Sequence, residues 1–166
     1  MLTNGNGTFT YDHDGNRTTA SNANGTYAFS YDVDNRLTKV TESPIGTTLN
    51  YTYDSVDNQL TVVDNFGGTQ TSYYDGDNFL TTRTYVGETQ TMAVVFTNNR
   101  EGWTTEQKDY SNLARTSLVA DITTGYDSVG NITSMSAVDH TTTTIDKFQY
   151  ALDNADRLTS ETDTQH

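Results

Sequence analysis

Cysteine is absent from this chain, proline occurs once, and basic side chains number 9 against 22 acidic ones. Without cysteine there is no disulfide scaffold, no thiolate zinc site and no thiol nucleophile. The compartment stays undecided, because exported repeat proteins often fold without disulfides. A formal charge of −13 on 166 residues repels phosphate backbones and anionic lipid, so neither nucleic acid nor a membrane surface is an expected partner. Long apolar runs are missing too. The longest, Met92 to Phe96, is far short of the roughly 20 residues that span a bilayer, so membrane insertion is not expected. Met1-Leu2-Thr3-Asn4 opens no signal-peptide pattern, which places any export signal outside this chain. Leu, Ile, Val and Phe together make only 30 of the 166 residues, a composition that with this charge is close to that of disordered chains.

What is abundant points elsewhere. The chain holds 11 Tyr and 33 Thr, residues suited to a pleated, half-buried surface. The tyrosines lead a repeated motif: Tyr11-Asp12 with Gly15, Tyr31-Asp32 with Asn35-Arg36-Leu37, Tyr53-Asp54 with Asn58 and Leu60, Tyr74-Asp75 with Asn78 and Leu80, Tyr126-Asp127 with Gly130-Asn131, and a degraded Tyr150 with Arg157-Leu158. A divergent seventh copy is read at Phe96 to Thr104, which sets the lead aromatics 20, 22, 21, 22, 30 and 24 residues apart. Internal repetition at such a period marks a repeat architecture.

Each unit reads as a β-hairpin, because residues alternate into the turn and out of it. Tyr27/Phe29/Tyr31, Leu49/Tyr51/Tyr53 and Phe148/Tyr150/Leu152 step by two along approaching strands, giving an aromatic face and a polar one. Those aromatics are expected to be core. Asp side chains bond backbone N–H groups two residues on, and Gly or Asn accepts the positive φ of a tight reversal. Second reversals fall at Ser43 to Gly46, Asn65 to Gly68 and Val86 to Glu88. A lone hairpin is marginal in water, so consecutive hairpins must stack. The predicted fold is all-β: consecutive antiparallel hairpins of about 21 residues in a continuous twisted spiral sheet, shell- or solenoid-like, with open ends. Residues 1–166 are read as one array, with an irregular expanded repeat at about 97–125 and a short strand at Thr141 to Thr144.

Tyr-Asp, a short spacer, Gly or Asp, then Asn, Arg, Leu and Thr resembles the motif of the Rhs/YD-repeat proteins of bacteria, related to insecticidal toxin-complex shells and to teneurins. Tyr31 to Thr38 is the best copy, and the likeness covers about residues 8 to 160. The resemblance implies a β-sheet shell that encloses a polypeptide such as a toxin, or a large secreted or cell-surface module, with no enzymatic activity of its own. Family members carry a core with an Asp-Pro self-cleavage site. Here the single proline, Pro44, follows Ser43, and no toxin-like segment follows the last motif, so the chain resembles a slice of array, excised or self-assembling. Its expected partners are neighbouring repeats or identical subunits head to tail, and an enclosed polypeptide.

Asp12, Asp14 and Asn16, like Asp32, Asp34 and Asn35, resemble partial calcium loops but lack the EF-hand pattern, so they are turn formers with at most weak calcium binding, and no cofactor is expected. Carboxylate pairs are inevitable among 17 Asp placed periodically at turns, which argues structure over glycoside hydrolysis. His13, His140 and His166 stand far apart, and Gly67-Gly68-Thr69 lacks the lysine of a phosphate loop. Asn-x-Thr triplets, including that at Asn6, are as frequent as composition alone gives. An alternative partner is a glycan or receptor, since exposed rings beside Asp and Asn bind sugars. Trp103, Tyr110 and Tyr73 lie outside the aromatic register and are the candidate contact residues.

Overall fold

A computed structural model describes residues 2–3 and 7–164 of the chain. Asn6 and His166 lie outside the described residues. The strands are β1 (Leu2–Thr3), β2 (Thr8–Tyr11), β3 (Arg17–Asn22), β4 (Gly25–Tyr31), β5 (Leu37–Ser43), β6 (Thr48–Tyr53), β7 (Gln59–Asp64), β8 (Thr69–Tyr74), β9 (Leu80–Val86), β10 (Thr91–Asn98), β11 (Thr104–Tyr110), β12 (Leu118–Tyr126), β13 (Ile132–Asp139), β14 (Thr144–Leu152) and β15 (Leu158–Asp163). They follow one another across one open antiparallel sheet in chain order, and the described residues contain no helix. The expected all-β succession of hairpins is therefore observed.

Contacts gather into two compact units, residues 1–71 with 86–88, and residues 72–85 with 89–166. In the first, the register places Phe9 opposite Ala20, Ala20 opposite Tyr27, Phe29 opposite Val40, Val40 opposite Leu49 and Tyr51 opposite Val62. The other face carries threonine pairs. Thr10 pairs with Thr19 and Thr52 with Thr61, with their hydroxyls 2.6 Å apart in each pair. In the second unit Ile122 lies opposite Ala137 and Met135 opposite Phe148. The reverse face there carries Lys108, whose ammonium sits 2.6 Å from Glu106 and 3.5 Å from Asp121. Those carboxylates raise the ammonium above the usual lysine value, Glu106 first.

Side-chain burial is shallow. Ala93 is the one fully buried hydrophobe among the described residues, because a single layer covers each ring only from its flanks and supplies no second layer to close over it. The core expectation is corrected on this point. Phe29, Tyr31, Tyr51, Tyr53, Phe148 and Tyr150 are half-buried, whereas Tyr27 is 45% exposed. Stacking along the strand replaces deep burial: the rings of Tyr27 and Phe29 lie 6.5 Å apart, and those of Phe148 and Tyr150 6.4 Å.

The stretch at about 97–125 holds β11 and most of β12, joined by the turn at 111–117, from which Arg115 reaches the hydroxyl of buried Thr82. Two further expectations change. Thr141 to Thr143 form a turn and only Thr144 begins a strand, since Asp139 accepts from the Thr141 and Thr143 amides and reverses the chain there. The divergent copy is led by Asn98, not Phe96. Asn98 and Asn99 occupy the positions of Tyr and Asp, as the turn bonds show.

Candidate functional site

One turn recurs at nine of the reversals among the described residues. Numbered from its Asp or Asn, the first residue donates its amide to the carbonyl of the fifth, and its side-chain oxygen Oδ1 accepts the amides of the third and the fifth. For Asp32 these are Asp32 N to Arg36 O at 3.0 Å, Asp34 N at 3.0 Å and Arg36 N at 2.9 Å. The pattern recurs at Asp12, Asp54, Asp75, Asp127 and Asp153, and also at Asp64, Asn99 and Asp139, where no tyrosine announces it. The fourth position has positive φ in each: Gly15, Asn35, Asp57, Gly67, Asn78, Gly102, Gly130, Thr142 and Asp156. Gly, Asn and Asp dominate there because a local side-chain bond or a missing Cβ relieves the left-handed conformation.

The second carboxylate oxygen takes the side chain of the fifth residue: Asn16, Arg36, Asn58, Asn131 and Arg157 each donate to it at 2.8–3.1 Å. Bonds within the turn hold the carboxyls of Asp32, Asp54, Asp127, Asp139 and Asp153 below the ordinary carboxylate value. The leading cause is the Arg36 amide for Asp32, and the side chains of Asn58, Asn131, Thr141 and Arg157 for Asp54, Asp127, Asp139 and Asp153. With both oxygens engaged, Asp12, Asp32, Asp54, Asp127 and Asp153 have little left for a cation. Among the described residues no three His, Asp or Glu side chains gather as metal ligands.

Bonds then tie turns to the ones before them at four junctions. In the first unit the Tyr31 hydroxyl donates to the Arg17 carbonyl at 3.0 Å and Tyr53 to Leu37 at 2.8 Å. In the second, Tyr126 donates to Thr104 at 2.9 Å, and the Asn98 amide group replaces tyrosine by donating to Leu80 at 2.9 Å. In every case the acceptor follows the fifth position of the preceding turn. Beside this runs a second ladder, in which the fifth side chain of one turn meets the fourth of the next. Asn16 donates to Asn35 at 2.6 Å, Arg36 to Asp57 at 2.8 Å and Asn131 to Asp156 at 2.9 Å. Where the fifth residue is aromatic, the fourth is glycine. A Cβ on Gly102 would meet the Phe79 ring, and one on Gly130 would stand 2.7 Å from Trp103. Arg36 also lies over the Tyr53 ring at 5.1 Å, as Trp103 lies against Tyr126 at 5.4 Å.

This ladder accounts for several residues singled out in the sequence. Tyr11 is exposed at the first turn, while Leu37, Leu60 and Leu80 are half-buried at the exits and Leu158 is exposed on β15. Of the candidate contact residues, Tyr73 is 52% exposed on β8. Tyr110 lines a shallow groove with Met92 and Val119, and Trp103 is half-buried against Gly130 and Tyr126. The structure does not bring these three together: Trp103 belongs to the turn ladder. A separate cleft of about 460 Å³ in the first unit sets Phe9 and Tyr27 beside Asn22, Asn24 and Glu42. The step-of-two pattern hid it by assigning Tyr27 to a core.

The sequence model of the RHS Repeat family matches residues 11–43 and 31–70, so the segment 11–70 consists of Rhs repeats. Among curated proteins none matches the chain. Solved structures similar to it include the Tc holotoxin pore of Photorhabdus luminescens, at 14% identity over 95% of this chain and with a TM-score of 0.57. The TcdB2-TccC3-Cdc42 structure is similar at 14% identity over 94%, with a TM-score of 0.58, and the TcdB2-TccC3 structure at 14% over 96%, with 0.57. At that identity the likeness shows the fold. This chain spans 11% of the length of each of those chains.

Proposed function

We propose that this Rhs/YD-repeat segment, which shares its sheet with toxin-complex shells, is a non-catalytic length of wall in a secreted or cell-surface protein, and that the wall encloses a polypeptide cargo. The observation that carries this reading is the direction of the bonding. Tyrosine hydroxyls, turn side chains and strand ladders are directed at the neighbouring repeat, which is what a load-sharing sheet needs and what an active site does not. The mechanism is edge-to-edge extension, each hairpin covering the flank of the one before. The test is to isolate the protein that carries this segment from its source cells, image it by electron microscopy and treat it with protease. A hollow particle that shields a non-repetitive polypeptide supports the reading; a solid fibre, or cargo digested as fast as free chain, overturns it.

A glycan-binding role is favoured by one observation, the cleft that exposes Tyr27 beside Asn22, Asn24 and Glu42. A ring face flanked by carboxamides and a carboxylate suits a pyranose. A glycan array probed with wild type and Tyr27→Ala decides it: binding lost in the variant supports this role, and no binding by wild type removes it.

A further inference from the structure

Arg36 fills the gap between the second and third Tyr-Asp turns. Its Nε donates to Asp32 at 2.8 Å and its Nη2 lies 3.5 Å from Asp34. Its Nη1 donates to the Asp57 carboxylate and to the Asp54 carbonyl, both at 2.8 Å, while the guanidinium covers the Tyr53 ring. Each of these partners has a counterpart one repeat earlier, in Asp12, Asp14, Asn35, the Asp32 carbonyl and the Tyr31 ring. Asn16 stands in the place of Arg36, and its short carboxamide reaches only Asp12, at 3.1 Å, and Asn35, at 2.6 Å. The gap between the first and second turns is therefore a groove of about 550 Å³, lined by all of those counterparts. Strands of this chain flank it on both sides, β2 and β3 on one and β4 and β5 on the other.

We infer that this groove binds an arginine side chain presented by a partner polypeptide. The Asp14 carboxylate is exposed and, among the described residues, makes no hydrogen bond or ion pair, and it holds the position from which Asp34 meets Arg36. Asp12 is taken up by its own turn. The incoming guanidinium accordingly pairs with Asp14, donates to the remaining lone pair of Asn35 Oδ1 and lies on the Tyr31 ring. A guanidinium over a ring is a contact this unit already makes, with Arg36 at 5.1 Å from Tyr53 and Arg17 at 4.9 Å from Phe29. Charge complementarity selects a cation, because the carboxylates of Asp12, Asp14 and Asp32 border the groove while the guanidinium of Arg17 is spent on Phe29. Shape selects arginine over lysine: a planar fork stacks on a ring and bonds in its own plane, which a point charge does not. A free amino acid would bring its own carboxylate to this acidic border, so a side chain on a neutral backbone is the better fit. The inference does not depend on the enclosing wall, and it names a partner chemistry which that reading leaves open.

The test titrates the isotopically labelled full chain with a capped peptide of one arginine among glycines, with the same peptide carrying lysine instead, and with free arginine. The expected result is saturable amide shifts confined to residues 12–16 and 29–36, with about fivefold tighter binding of the arginine peptide than of the lysine one and weaker binding still of free arginine. Asn16→Arg supplies the guanidinium from within the chain, as Arg36 does one repeat later, and abolishes binding of the peptide; a melting temperature no lower than that of wild type shows that this variant folds. Asp14→Asn alters an exposed side chain and weakens binding about threefold. Equal affinity for the arginine and lysine peptides reports only the acidity of the chain and overturns the inference. Shifts spread over the other Tyr-Asp turns, no shifts at all, or binding that survives Asn16→Arg or ignores Asp14→Asn overturn it as well. Free arginine that binds as tightly as the peptide names a small molecule as the ligand and overturns the polypeptide partner.

Discussion

Replacing Gly130 by alanine tests the aromatic rung of the ladder. The new Cβ would stand 2.7 Å from Trp103 Cζ2 and 3.0 Å from Cε2, at a φ of +99°. Moving a ring aside in a fitted contact costs about 1–3 kcal/mol, and a left-handed alanine costs about 1–2 kcal/mol more. A total near ~3 kcal/mol lowers the melting temperature by about 6–12 °C for a chain of this size. The chain has one tryptophan, Trp103, so its fluorescence follows melting of the second unit without added label. In a Trp103→Ala background the ring is gone and Gly130→Ala costs only its backbone part, which gives a coupling of roughly 1–2 kcal/mol in a double-mutant cycle followed by circular dichroism. Additive effects would refute the contact.

The tyrosine locks give a smaller effect: Tyr53→Phe and Tyr126→Phe each remove one hydrogen bond and keep the ring, for a loss of about 1 kcal/mol apiece in urea titrations. Asn98→Asp turns the donor to the Leu80 carbonyl into an acceptor and is expected to cost more than Asn98→Ala, as measured by chemical denaturation. Asp54, Asp127 and Asp153 ionise more readily when folded, so the unfolded chain binds more protons near its carboxylate value of about 3.9. Stability is therefore flat from pH 7 to about pH 5, then falls as pH drops through that value toward the lower native ones, which a series of thermal melts will follow. Millimolar calcium or a chelator is expected to leave the melting temperature unchanged, since the turn oxygens already accept amide and side-chain donors; a rise with calcium would reveal a site.

The hairpins were legible in the sequence because each Tyr-Asp turn is local. Asp32 bonds residues two and four places on, and the positive φ falls on an Asn, Asp or Gly that composition advertises. The turns at Asp64, Asn99 and Asp139 were harder to see because the tyrosine is missing, although Asp64 with Gly67 and Asn99 with Gly102 keep the spacing of first and fourth positions. The second ladder was out of reach. Arg36 and Asp57, or Trp103 and Gly130, meet only once the strand register is known, and a Trp beside polar residues reads equally well as a contact residue. Burial was overestimated for a related reason: alternation tells which face Tyr27 lies on, not whether anything covers that face.

Residue-resolved amide hydrogen exchange on the intact chain tests the stacked sheet most directly. Fifth-position turn amides such as Arg36, Asn58 and Asn131 sit at the sheet's rim yet are bonded to aspartate oxygens, so they should exchange slowly and in step with the strands on either side. Free-peptide exchange at those amides beside protected strands would contradict the account.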